Sequence, residues 1–259
     1  MKLKEKVVFI TEADTGSGTA FLHRLALEGA HFILNSASGG SEIAENLDRV
    51  RRGGSNVFVA NADLSRSIEV NDLFREAEQA VGTVDVLIHN ADLVKPALVE
   101  TCDEETFLAV MNANAKSAFI CTQAAGRQMR AKQSGKIIYV TSIHAEKPTG
   151  SSFAYSASKG AVKMLAREAA LILGRSGVNV NTIELGPLEE DAPPFPSRLT
   201  TIYDDYRYKV PDAVLGTYGD LAELALYLAS DGARYVNGAD IRLDGGFLMH
   251  YSDRKMKKV

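Results

Sequence analysis

Tyr155 and Lys159 stand four residues apart in the run Tyr-Ser-Ala-Ser-Lys. On a helix that spacing puts both side chains on one face, so the ammonium can sit beside the phenol ring. A free tyrosine has a pKa of ~10, too high for a base near neutrality. A neighbouring cation stabilises the phenolate and lowers that value. Tyr155 could then give a proton to a substrate oxygen or take one from it, as reduction of a carbonyl by hydride requires. Ser142 lies thirteen residues upstream and can hydrogen-bond the same oxygen, steadying its developing charge. Asn114 lies a further twenty-eight upstream, in Met-Asn-Ala-Asn-Ala. Taken singly, each has an ordinary alternative: a strand-end hydroxyl, an exposed helical pair, a satisfied core amide. The Tyr-x-x-x-Lys spacing is also cheap, since Tyr251 and Lys255 repeat it in the tail, where no function attaches to it. What points to chemistry is the joint order of the four residues on suitable elements.

Those elements are legible as two periodicities. Short apolar runs mark strands at Lys6–Thr11, His31–Asn35, Asn56–Ala60, Val84–His89, Lys136–Thr141, Val178–Ile183 and Ala239–Leu243. Runs such as Val7-Val8-Phe9-Ile10 are continuously apolar, which means a strand covered on both faces. Between them, Ala20–Glu28, Ile43–Val50, Ile68–Val81 and Tyr155–Leu173 place apolar residues three or four apart, the helical period. Strand–helix alternation along the whole chain predicts an α/β, single-domain, doubly wound parallel sheet of about seven strands with helices on both faces. Right-handed crossovers bring the strand C-termini to one edge, where such sheets bind ligands. Ser142 follows the fifth predicted strand, on that edge.

The first strand is followed by Thr11-Glu12-Ala13-Asp14-Thr15-Gly16-Ser17-Gly18 and a helix. Glycines there let the backbone approach a pyrophosphate, and a helix N-terminus favours its charge. With Thr11, Gly16, Gly18 and the Asn114, Ser142, Tyr155, Lys159 set, the chain resembles the short-chain dehydrogenase/reductase family along essentially its whole length, down to Leu243-Asp244-Gly245-Gly246. The resemblance implies an oxidoreductase that moves hydride between NAD(P)(H) and a ketone or secondary alcohol, with Tyr155 as acid/base. It also implies that Lys159 binds the nicotinamide ribose and that Asn114 holds a water in a proton relay. Further matched positions are Asp63-Leu64, where the family contacts adenine, Asn90-Ala91 after the fourth strand, and Asn181, Gly186 and Leu188 after the sixth.

Four positions depart from the family pattern, and all four add negative charge. Glu12 replaces the first loop glycine, Asp14 lies two residues on, Asp92 replaces the glycine of Asn-Asn-Ala-Gly, and Glu190 replaces a threonine at the nicotinamide end. Desolvated like charges near a pyrophosphate cost several kcal/mol if they stay ionised, on the order given by buried-charge penalties. A degenerate relative acting as a binding or regulatory protein, or a non-redox enzyme, is therefore the alternative reading. Halohydrin dehalogenases are such a non-redox relative, but they carry Arg where this chain has Lys159. Cofactor choice rests on Asn35-Ser36-Ala37-Ser38 at the end of the second strand. No acid is present to bind ribose hydroxyls, and Ser36 with its neighbours can accommodate a phosphate, so the reading leans to NADP over NAD.

Bulk properties narrow the class. The chain has 259 residues, 46% apolar, and a formal net charge of -4, which gives no footprint for nucleic acid or an anionic membrane. Two cysteines, Cys102 and Cys121, are too few for a disulfide framework, and no metal site is expected. The apolar run after the N-terminus is too short for a signal peptide or membrane span, so the expected location is cytoplasmic. Residues 186–216 hold five prolines and several aromatics, the pattern of a substrate lid. By resemblance the assembly is a homotetramer through the helices carrying Asn114 and Tyr155. Ala118, Ala161 and Ala169 could permit close helix approach, or could simply pack on the chain's own sheet.

Overall fold

The computed structural model describes residues 1–148, 150–189, 209–211 and 213–249. Seven parallel strands form one sheet in the order β3-β2-β1-β4-β5-β6-β7. They are β1 (Val7–Ile10), β2 (His31–Asn35), β3 (Val57–Ala60), β4 (Val86–His89), β5 (Gly135–Ser142), β6 (Val178–Leu185) and β7 (Asp240–Leu243). Every strand read from the sequence is present, with ends shifted by at most two residues. The helices are α1 (Gly16–Ala26), α2 (Ala44–Arg52), α3 (Ser67–Ala80), α4 (Glu104–Met111), α5 (Ser117–Lys132), α6 (Phe153–Leu173) and α7 (Tyr218–Ala229).

The continuous apolar runs are explained by the layers. Along one strand, alternate residues enter different cores. Val8, Ile10, Phe32, Leu34, Val86, Ile88, Ile138 and Val140 pack with α1, α2 and α7. Val7, Phe9, Ile33, Leu87, Ile137 and Tyr139 pack with α3, α5 and α6 on the opposite face. Period two is thus preserved, but both phases are apolar because both faces are covered.

β1 pairs with β2 on one side and β4 on the other. The chain must therefore cross the sheet between β3 and β4, and the loops leaving β1 and β4 diverge to open a crevice. Three contacts pin its walls. The Asn90 N–H donates to Thr11 Oγ1 (2.7 Å), the Thr11 N–H to Ile88 O (3.1 Å), and the Ala13 N–H to Asn35 O (2.9 Å).

Two helix starts bear on the site. α1 begins at Gly16, four residues before the predicted apolar stripe, because Thr15 caps it by accepting from the Gly18 N–H (3.0 Å). Between α4 and α5 the helix widens into a π turn over Asn112–Lys116. Such turns insert a residue into the helical ladder and re-aim a side chain. Of the proposed lid at 186–216, residues 190–208 and 212 lie outside the described residues, as do Glu190, Tyr251 and Lys255.

Candidate active site

A cleft of about 790 Å³ opens at the C-terminal edge of the sheet, within the usual range for small-molecule sites. Its lining includes Thr15 and Asn90 at one end, and Ser142, His144 and Tyr155 at the other. Lys159 lies just beneath, 1% exposed.

Lys159 is held there by three acceptors. Its Nζ donates to Ala91 O (2.8 Å) and Val140 O (3.2 Å), and pairs with Asp92 Oδ1 (2.7 Å). It also sits 5.4 Å from the centre of the Tyr155 ring, as the four-residue spacing on α6 requires. The Tyr155 hydroxyl donates to the same Asp92 Oδ1 at 2.7 Å. One carboxylate oxygen therefore joins the phenol and the ammonium. Desolvation in the cleft raises the pKa of Asp92. The Lys159 charge and hydrogen bond, then the Tyr155 hydroxyl, outweigh this and hold the carboxyl below its ordinary value.

Ser142 ends β5, and its Oγ accepts from the His144 N–H (3.2 Å), leaving its own proton to donate. The His144 ring is 6.4 Å from that of Tyr155. Its Nδ1 lies 3.0 Å from Lys147 O, and a carbonyl only accepts, so that nitrogen carries the proton. Asn114 is buried in the π turn. Its Oδ1 accepts from the Leu93 N–H (2.8 Å), and its Nδ2 donates to Leu93 O (2.9 Å) and Ser158 Oγ (3.0 Å). The amide clamps the strand-to-helix segment that follows Asp92, so its immediate role in the structure is positioning.

His89 stands before Asn90, where the family has asparagine. Burial, then the Lys159 charge, push its pKa down to about 3, and Nε2 bonds Ser117 Oγ (2.8 Å). It is a neutral packing group. Cys121 is likewise inert, its thiol pushed up to about 12 by burial.

At the other end of the cleft, the residues fit a pyrophosphate. A Cβ on Gly18 would overlap the Glu12 carbonyl and the Ala13 backbone, and one on Gly16 would overlap the Tyr218 ring. Close approach of backbone therefore requires Gly18, whereas a side chain at Gly16 would have to displace the Tyr218 ring. Among the described residues the N–H groups of Gly16 and Ser17 have no protein acceptor, as expected of a first helical turn able to receive an anion. Asn90 Nδ2 donates to Ser17 Oγ (2.8 Å) and Thr15 Oγ1 (3.2 Å), fixing the loop from the β4 side.

The acidic substitutions are placed in ways the sequence did not show. Glu12 adopts φ 50°, the left-handed conformation that glycine would take without strain. Desolvation, then the charges of Asp14 and Asp92, raise its pKa. Asp14 points towards β2 instead of lying along the loop. Its Oδ1 accepts from Ser36 Oγ (2.6 Å) and its Oδ2 from the Ser38 N–H (2.9 Å). Ser36, expected at the cofactor surface, is fully buried and donates to this carboxylate. The absence of an acid at the end of β2 is thus true of the sequence but not of the fold. Asp63 is occupied locally, accepting from the N–H (2.9 Å) and hydroxyl (2.7 Å) of Ser65, and Leu64 beside it is buried. Leu188 is buried and bridges to Gly216, outside the proton-transfer group. No cluster of metal-ligating side chains occurs among the described residues.

Comparison with known proteins settles the family. The family model described as enoyl-(acyl carrier protein) reductase matches residues 13–248. The chain belongs to the short-chain dehydrogenase/reductase family. It is 30% identical over 244 residues to a 3-oxoacyl-[acyl-carrier-protein] reductase of Staphylococcus epidermidis, covering 94% of this chain and 99% of that one. It is 30% identical over 251 residues to a 2,5-dichloro-2,5-cyclohexadiene-1,4-diol dehydrogenase of Sphingobium indicum, covering 95% and 97%. Among solved structures, a chain from Sinorhizobium meliloti superposes with TM-score 0.91 at 25% identity, covering 96% and 99%. A short-chain dehydrogenase/reductase variant of Serratia marcescens gives 0.87 at 28%, covering 95% and 99%. The chain is accordingly an NAD(P)-dependent oxidoreductase of this family. The degenerate, non-redox alternative is not favoured.

Proposed function

We propose that the cleft reduces a ketone, or oxidises a secondary alcohol, with Asn114, Ser142, Tyr155 and Lys159 as its machinery. The observation that carries this is the meeting of Tyr155 and Lys159 at one point of the cleft that Ser142 also lines. A bound nicotinamide dinucleotide supplies or removes the hydride. In the reducing direction Ser142 donates a hydrogen bond to the substrate oxygen, and the Tyr155 hydroxyl, turned from Asp92 to that oxygen, gives it the phenolic proton. Lys159 is adjacent to the phenolate left behind and stabilises it. Asn114 keeps the Leu93 segment, and so the Asp92 side of the cleft, in place. The first turn of α1, with Thr11, Gly16, Gly18 and Asn90 shaping it, holds the pyrophosphate.

Three of the four acidic departures fit this reading, and Glu190 lies outside the described residues. Asp14 and Asp92 are hydrogen-bonded, and the raised pKa of Glu12 eases its neutralisation beside phosphate. We further propose that the chain is one catalytic domain, acts in the cytoplasm, and assembles as a homotetramer. The cytoplasmic assignment is consistent with the fact that no helix of the described residues is long and apolar enough to cross a membrane.

Titration of the purified protein with NADH and NADPH by calorimetry tests the reading. Saturable micromolar binding of at least one is expected, and absence of binding at millimolar levels would overturn it. In Tyr155→Phe, turnover should fall by about 10²-fold or more, the scale of general acid–base catalysis. Dinucleotide binding should persist, and retained turnover would refute the proton-transfer role.

A further inference from the structure

We infer that Asp14 makes this chain select NAD(H) and reject NADP(H). The inference rests on the dinucleotide reading above and assigns a specificity role to a residue outside the usual position at the end of β2. The loop after β1 is tied to β2 by the Ala13 N–H bond to Asn35 O (2.9 Å). That contact delivers the next residue, Asp14, to the site where a β2-end acid would stand.

The local donors are then already used. The Ser36 hydroxyl and the Ser38 N–H both donate to Asp14. Ser36 Oγ accepts from the Gly40 N–H (2.7 Å), and Ser38 Oγ accepts from the Glu42 N–H (3.2 Å). The Ser38 hydroxyl lies 3.2 Å from Ser36 Oγ. The Ser36 hydroxyl and the Ser38 N–H, two donors that a 2′-phosphate would need, are thus committed to a carboxylate. No Lys or Arg occurs from Ser36 to Asp48 to offset its charge. Each carboxylate oxygen has more than one acceptor site, so a partly exposed Asp14 retains capacity for a ribose hydroxyl. A ribose hydroxyl donates to a carboxylate favourably, whereas a phosphate dianion in the same place meets like charge.

The test is calorimetric titration of NADH and NADPH into the wild-type protein and Asp14→Asn, with thermal melts to check folding. Wild type should bind NADH at least about tenfold more tightly than NADPH, the scale of one lost charge-assisted contact. In Asp14→Asn, which keeps an oxygen for the Ser38 N–H, that ratio should shrink by about tenfold, with NADPH binding strengthened. Adenosine 5′-monophosphate and adenosine 2′,5′-bisphosphate, titrated into wild type alone, decide the matter if the variant fails to fold, and the monophosphate should bind more tightly. Equal or tighter NADPH binding by wild type, or an unchanged ratio in a folded variant, would overturn the inference and leave the oxidoreductase reading standing. Binding of neither dinucleotide by wild type overturns both.

Discussion

At the scale of single residues, Glu12 is the most exposed to test. It replaces a glycine in a left-handed conformation, a strain of about 1–2 kcal/mol for a residue with a Cβ. It also carries a carboxyl whose pKa is raised above the ordinary value of 4.5 by desolvation and the nearby charges of Asp14 and Asp92. A raised carboxyl pKa means that the folded protein binds this proton more tightly than the unfolded chain. Its contribution to stability is then fully present below 4.5 and is lost as pH rises through the folded value. Glu12→Gln keeps the backbone strain and removes the titration. Its melting temperature should therefore gain on wild type as pH rises from the acid side towards neutrality. A pyrophosphate brought close to Glu12 would raise the pKa further, so dinucleotide binding should take up a proton. Wild-type affinity should fall with rising pH by up to about tenfold per unit, the limit for one coupled proton, and the variant should lack this slope. Titration of the better-binding dinucleotide across pH reads the difference, and parallel slopes would count against a charged Glu12 at the phosphate.

At the scale of elements, the π turn between α4 and α5 controls where the cleft wall runs. Asn114 satisfies both backbone groups of Leu93, which lie in a segment without regular ladder partners. Asn114→Ala leaves them unpaired, and a stability loss of about 1–3 kcal/mol is expected. Asn114→Asp can still accept from the Leu93 N–H but cannot donate to its carbonyl, so an intermediate loss is expected. Urea unfolding of the three proteins gives the order, and an alanine variant as stable as wild type would show that the clamp carries no energy. The same turn marks the limit of what the sequence showed. All seven strands were readable, because β1 to β5 carry runs apolar in both phases and β6 and β7 alternate with period two. Ser142, Tyr155 and Lys159 were readable because fixed spacings on a strand end and a helix fix their relative positions. The π turn has no hydrophobic period to announce it. Asp14 at β2 and Asp92 between Tyr155 and Lys159 are contacts across 24 and 63–67 residues of chain. Such loop-to-loop pairings depend on the direction of a side chain, which composition does not encode.

At the scale of the whole molecule, the proposed tetramer can be argued from the outer face of α6. Ala118 belongs to the chain's own core, fully buried on α5, and Ala169 packs partly against the same layer. These two alanines serve the sheet. Ala161 is exposed, and along the same helix Met164 is 55% exposed, Leu171 70% and Ile172 62%. Ala161, Met164, Leu171 and Ile172 share one helical face at three- and four-residue spacing, with Glu168 as the one charged residue among them. On the neighbouring α5, Phe119 adds a half-exposed ring. An apolar stripe this long on a surface helix favours contact with a second copy, and a two-fold axis would set the stripe against itself. The chain mass is 28.0 kDa, so light scattering after gel filtration should report four times that value. Leu171→Glu places like charges on both sides of a two-fold contact and should dissociate it to a smaller species, while its exposure predicts a change in monomer stability within about 0.5 kcal/mol. A wild-type monomer would overturn the assembly. A variant that stays tetrameric would move the interface away from this face of α6.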